Sequence, residues 1–220
     1  NVVLEKGKAL PNANAYKDYF KWIATGLEEP MTTHADRFKY NDGYGMSAYD
    51  KGSIFLSQLE YVIGKENFDR ALKKYFDDWA FKHPKPNDFI RSAEKVSGLE
   101  LDWYLLDWAQ STMTIDYSIN SIISESGSTK IVLKRVGQMG MPIDLRVELI
   151  SGEMIDYNIP MTKMRGSKPL ESAILLNSWS WAKPFYSFGI DLDKNSISKI
   201  IIDPKGEMAD IDRFNNILTF

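Results

Sequence analysis

Cysteine is absent from the 220 residues. That excludes a disulfide scaffold, a thiolate metal site and a cysteine nucleophile, and it leaves the compartment open. Histidine occurs twice, as His34 and His83. They lie far apart, and no H-E-x-x-H places two imidazoles on one helix face. Both read as surface or hydrogen-bonded groups, so no metal ligand is assigned within the chain. There is no basic block, and the formal net charge is −3, so nucleic acid is not an expected partner. No apolar run approaches the ~18 residues that a spanning helix needs, and no membrane span is expected. A G-x-S-x-G elbow, a Walker A sequence and a strand-borne G-x-G-x-x-G are also missing. The opening stretch, NVVLEKGKALPNANAYKD, has no initiator Met, no basic n-region and no signal-peptide core. The chain therefore reads as a piece of a longer or processed polypeptide. Its compartment is not legible, and exported, periplasmic and cytoplasmic locations all fit.

What is present is enough apolar material for a packed core, 44% of the residues. The periodicity changes once, near residue 116. Before it the pattern is helical. Helices are expected over 14–27, from Tyr49 to Ile63, over KENFDRALKKYFDDWAF, after Asn87 and after Asp102. The second of these would bury Phe55, Leu56, Leu59, Val62 and Ile63. The third would bury Phe68, Leu72, Tyr75, Phe76 and Trp79. Gly64 and Gly98 are placed to end helices in a left-handed conformation, and HPKP breaks the chain between two of them. Asn87 and Asp102 are candidate N-caps. Residues 1–115 thus form an expected antiparallel helical array.

From residue 116 the period is two. In PIDLRVEL (142–149), Ile143, Leu145, Val147 and Leu149 point one way, and Asp144, Arg146 and Glu148 the other. Runs at 117–124, 130–136, 154–159, 186–192 and 198–203 are similar. The expectation for 116–220 is an Ig-like β-sandwich. The fold class is multidomain, α then β.

Candidate chemistry is sparse. Glu28–Glu29 and Asp77–Asp78 are adjacent pairs that diverge on a helix and read as solvated faces. Trp103 and Trp108 read as helix packing. Trp179 and Trp181 lie on one face of an extended segment. With Phe185 and Tyr186 they could line a ligand site or plug a sandwich core. The stretch DGYGMSAYDKG (42–52) is different: Tyr44 and Tyr49 stand five apart among glycines, the second at the mouth of a helix. Its hydroxyl could simply pin the loop. Alternatively, a phenol donates a hydrogen bond near neutral pH. A donor fixed at the rim of a rigid helix can serve a developing oxyanion, worth ~3–4 kcal/mol.

Several motifs carry a family resemblance. They are Tyr49-Asp50-Lys51-Gly52 opening a helix, Leu59-Glu60 with Gly64 and Phe68, Trp79-Ala80-Phe81-Lys82-His83, Asp88-Phe89, and Leu101-Asp102-Trp103 with Trp108. In this order, over roughly residues 40–118, they resemble the segment downstream of the zinc site in gluzincin zinc aminopeptidases. That is the peptidase family of membrane alanyl aminopeptidase and leukotriene hydrolase. The resemblance implies that residues 1–115 are the C-terminal helical part of a thermolysin-like catalytic domain and that 116–220 are the β-sandwich after it. It implies a catalytic Tyr49 that donates to the tetrahedral intermediate, and a substrate-lining Tyr44. Lys51 and Gly52 match the motif and read structurally, the lysine as a satisfied pair and the glycine as a site of close helix packing. The family's H-E-x-x-H and G-x-M-E-N segments, which lie upstream of Y-x-K-G, are missing here. The implied cofactor is zinc, held in the parent protein and not by this chain. The implied partners are a peptide substrate and the N-terminal domains of the same polypeptide. On this reading the parent is a metallopeptidase and the isolated chain is inert. The alternative is a non-catalytic scaffold or interaction protein of the same family.

Overall fold

The computed structural model describes residues 12–125 and 127–220. Residues 1–11, which include most of the opening stretch read for a leader, lie outside the described residues. The chain divides into two compact units after Met113, and Gly206–Ala209 returns to the first of them.

The first unit is helical. Its helices are α1 (Ala13–Ile23), α2 (Asn41–Gly45), α3 (Lys51–Ile63), α4 (Lys65–Trp79), α5 (Pro86–Ser97) and α6 (Asp102–Ala109), and a π-helical turn, Met46–Asp50, joins α2 to α3. Helix α1 stops four residues before the expected end. Gly26 turns there at φ +69, and Thr25 and Gly26 donate back to the carbonyls of Trp22 and Ile23. Gly64 has the expected positive φ (82°) but an extended ψ (150°), so α4 follows at once instead of a left-handed cap. Gly98 is left-handed, at φ 71 and ψ 10.

Two expected caps are replaced. Pro86 opens α5, and the Asp88 carboxylate accepts from Lys85 N–H at 2.8 Å, so Asn87 is already inside the helix. Asp102 is the first residue of α6 and makes no cap bond. The buried faces also differ slightly. Leu56, Leu72 and Phe76 are exposed, whereas α4 buries Phe68 as expected, together with Asn67 and Ala71. Tyr75 meets Phe89 edge-on at 5.1 Å.

The core of this unit is aromatic. Phe55 packs on Tyr104 at 5.0 Å, and Tyr104 in turn contacts Trp108. Gln58, fully buried, donates to the Tyr16 hydroxyl and to the Glu207 carbonyl, both at 2.7 Å, and accepts from Ala209 N–H. Those bonds satisfy a buried amide that would otherwise cost ~1–3 kcal/mol. They also explain why Gly206–Ala209 belongs to the helices although its neighbours in sequence are strands.

The second unit is a β-sandwich. A three-stranded sheet runs β1 (Tyr117–Glu125), β2 (Ser128–Arg135), β6 (Phe185–Ile190). A five-stranded sheet runs β5 (Ile174–Leu175), β4 (Met154–Ile159), β3 (Ile143–Leu149), β7 (Ile197–Ile202), β8 (Ile217–Thr219). Ile143, Leu145 and Val147 of β3 and Ile131 and Leu133 of β2 are fully buried, so the alternation read from the sequence sets the inner faces. On the outer face Arg146 holds Asp156 of the neighbouring strand bidentately, at 2.7 and 2.9 Å. Trp179 and Trp181 do not share a face. Trp179 is buried between Tyr117 and Tyr186, its indole N–H on the Lys183 carbonyl, whereas Trp181 is exposed with Lys163 over its ring. The first is therefore part of the sandwich core, and the aromatic ligand site is not assembled.

Asp210 is buried in this unit and accepts from the Tyr117 and Asp212 N–H groups. Burial pushes its carboxyl up to about 7 despite those bonds. The folded-state value lies above the unfolded one. The stabilisation from this group is therefore complete below the unfolded value of 3.8 and is lost as pH rises through about 7. Denaturant titrations of the full chain between pH 4 and 8 should show the β unit weakening across that window. Asp210→Asn should flatten the slope, and an unchanged slope in the variant would assign it to another group.

Candidate functional site

The stretch around the two tyrosines is helical from Asn41 onward, so Tyr49 does not open a helix but lies within one. Its turn is π-helical, with the Lys51 N–H reaching back five residues to the Met46 carbonyl. Such turns are rare and often sit at functional sites. The glycines have different uses. Gly43 is buried, and a Cβ there would stand 3.2 Å from the Trp22 ring, so it lets α1 lie close on α2. Gly45 faces open space. A Cβ at Gly52 would meet only the Ser47 carbonyl, at 3.9 Å, which is ordinary contact. The close approach expected at Gly52 is therefore made at Gly43.

Between α1 and this segment lies an open cleft of about 640 Å³. Asp18, Lys21 and Trp22 form one wall, and Asp42, Met46, Tyr49 and Asp50 the other. Tyr49 is 74% exposed, and its hydroxyl has no hydrogen-bond partner among the described residues. Tyr44 is less exposed, meets Phe38 edge-on at 5.6 Å and is not among the residues lining the cleft. Lys21 pairs with Asp18 at 3.4 Å. Burial, and then the Asp18 charge, raise the Asp50 carboxyl above its ordinary range. The walls thus carry three carboxyl groups and one ammonium.

Behind the cleft stands a buried ion pair. Lys51 Nζ donates to Glu28 Oε1 at 2.7 Å and to the Ser111 carbonyl at 3.1 Å, and the two side chains are 2% and 7% exposed. Lys51 is therefore a buried, satisfied lysine. Glu28 is not a solvated face. Its neighbour Glu29 accepts from Lys39 N–H at 3.1 Å. Asp77 and Asp78, by contrast, form exposed i,i+4 pairs with Lys73 and Lys74. Burial, and then the Glu28 charge, also push the Tyr19 phenol up. One signal for this pair was available in the sequence: Lys51 lies three and four residues before Ile54 and Phe55, on the face that α3 buries.

The described residues do not fit a catalytic metal. His34 uses Nδ1 to accept from Asp36 N–H, and His83 is exposed. Among the described residues, the one group of three side chains with ligating spacing is Glu94, Glu100 and Asp102, without a histidine. Three carboxylates are a poor zinc set beside the His-rich sets of catalytic zinc.

A family model described as "Peptidase family M1 domain" matches residues 11–108. Aminopeptidase N of Escherichia coli (strain K12) is 23% identical over 142 residues, which is 61% of this chain and 16% of that protein. Leucine aminopeptidase 2 of Emericella nidulans is 38% identical over 73 residues, 29% of this chain and 12% of that protein. Human glutamyl aminopeptidase is 26% identical over 98 residues, 44% and 10% of the two chains. A solved structure of Legionella pneumophila aminopeptidase A in complex with aspartic acid aligns with TM-score 0.51 and 19% identity, covering 77% of this chain and 18% of that one. The last likeness is one of fold. The chain thus spans less than a fifth of the length of each of these relatives. The M1 aminopeptidases are generally zinc-dependent metallopeptidases. The motif run from Tyr49 to Trp108 lies in the helical unit and inside the stretch that the family model matches, and residues 11–108 of this chain are similar to the M1 aminopeptidases.

Proposed function

We propose that the helical unit forms one wall of a peptide-hydrolysing cleft, and that Tyr49 donates from its hydroxyl to the oxyanion that develops as the scissile amide becomes tetrahedral. The observation that carries this reading is the exposed Tyr49 phenol, its hydroxyl uncommitted, at the rim of the cleft. A hydroxyl already bonded to main chain would have to break that bond before serving a substrate. An uncommitted one on a rigid turn needs little reorganisation, which is the basis of oxyanion stabilisation. Tyr44, about half exposed and edge-on to Phe38, would line the approach to the cleft and not touch the reacting carbonyl. On this reading the zinc ligands and the group that activates water come from segments of the polypeptide other than these 220 residues, and these residues alone turn over no peptide. The role assigned to this chain is to wall the cleft and hold one donor in place.

The test uses the full-length polypeptide and a chromogenic aminoacyl amide. Hydrolysis that a chelator abolishes and zinc restores is the expected result. A full-length protein that binds no zinc and cleaves nothing would instead favour a non-catalytic relative, in which the same cleft serves protein contact.

A further inference from the structure

We infer that Lys51 and Glu28 are positioning residues for the Tyr49 phenol: their buried ion pair clamps the π-helical turn in register. This inference rests on the function proposed above, which it deepens.

The turn is tied inward on both sides of Tyr49. Two residues before it, Ser47 is buried and its hydroxyl donates to the Glu29 carbonyl at 3.5 Å. Two residues after it, Lys51 reaches Glu28 and the Ser111 carbonyl. On a helix, residues two apart face nearly opposite ways. Fixing the second residue on each side inward therefore turns the one between them outward, toward the cleft. Both tethers end on the adjacent residues Glu28 and Glu29, so one short loop holds the whole turn.

Lys51 also supplies the backbone N–H that closes the π ring to Met46. A π turn holds one residue more than an α turn and is rarely chosen without a restraint. Relaxation to an α turn would shift the register by one residue, about 100° of rotation at 3.6 residues per turn. That would take the phenol off the cleft. The pair is poorly explained by stability alone. Desolvation of two buried charges offsets most of their attraction, and apolar residues of similar volume often replace such pairs at no cost. Fixing register is the better-attested use of a buried charged pair.

The test is the double substitution Lys51→Met with Glu28→Met in the full-length polypeptide, read first by amide exchange. Exchange at residue 51 and through the turn should rise about tenfold or more, with the amides of α3 beyond it and of α5 unchanged. In turnover, kcat should fall about tenfold with KM nearly constant, and adding Tyr49→Phe should bring kcat no lower than Tyr49→Phe alone does. Exchange within about twofold of the unmodified protein would overturn the clamp. Faster exchange together with no kcat effect from Tyr49→Phe alone would keep the clamp and remove the oxyanion role. If the double variant does not fold, Glu28→Asp, one methylene shorter, carries the same exchange measurement with the same two outcomes.

Discussion

Tyr49→Phe in the full-length polypeptide is expected to lower kcat about 10²–10³-fold while KM changes little, the pattern of a donor used in the transition state and not in the ground state. The substitution removes one oxygen and leaves the ring. The ring is 74% exposed and the hydroxyl makes no internal bond, so no fold contact depends on it. Stability should therefore stay within about 0.5 kcal/mol of the unmodified protein, as for surface changes away from special features. This separation makes the result informative, because a kcat loss cannot be ascribed to unfolding. An unchanged kcat would take Tyr49 out of the mechanism. A raised KM at constant kcat would make it a binding residue only.

Glu28→Gln should destabilise the helical unit by about 3–5 kcal/mol, because it leaves the Lys51 ammonium buried without its counter-charge. The Lys51 side chain is 2% exposed, and its ammonium would keep only neutral acceptors, the Ser111 carbonyl and the amide oxygen at position 28. The corresponding exposed change, Asp77→Asn, breaks an i,i+4 pair with Lys73 that is largely solvated, and should cost less than about 0.5 kcal/mol. Chemical denaturation of both variants checks the contrast. Equal small effects would mean that water reaches the Lys51 site. The double methionine variant should be far more stable than Glu28→Gln, since it removes the stranded charge as well as its partner.

The elements with a long, regular period were legible in the sequence. β4 spans 154–159, the same residues that the alternation marks, and α3 to α5 form where their apolar periodicity places helices, although Leu56, Leu72 and Phe76 of those stripes are exposed. Strands β5 and β8, two and three residues long, are too short to show a period. Helix α2 was hidden by its glycines, which usually read as loop. Gly43 is helical because Trp22 needs the room, and that is a tertiary reason. The return of Gly206–Ala209 to the helices was hidden for another reason. Gln58 and Tyr16 recognise its backbone, which leaves no mark on the residue types of the segment.

The site was legible in part. Tyr49 was marked by its motif, and the cleft beside it required the packing of α1 on Gly43. Glu28 was misread because adjacent carboxylates commonly face water. What decides its burial is a lysine 23 residues away. The π turn carries no periodicity of its own and shows only in the backbone bonds.

The most direct measurement is a crystal structure of the full-length polypeptide with a phosphinic peptide, whose tetrahedral phosphorus mimics the hydrated amide. The Tyr49 hydroxyl should lie about 2.7–3.1 Å from a phosphinyl oxygen, the distance of a donor serving an oxyanion. A phenol that stays turned to solvent, beyond hydrogen-bonding reach of the bound inhibitor, would contradict the account.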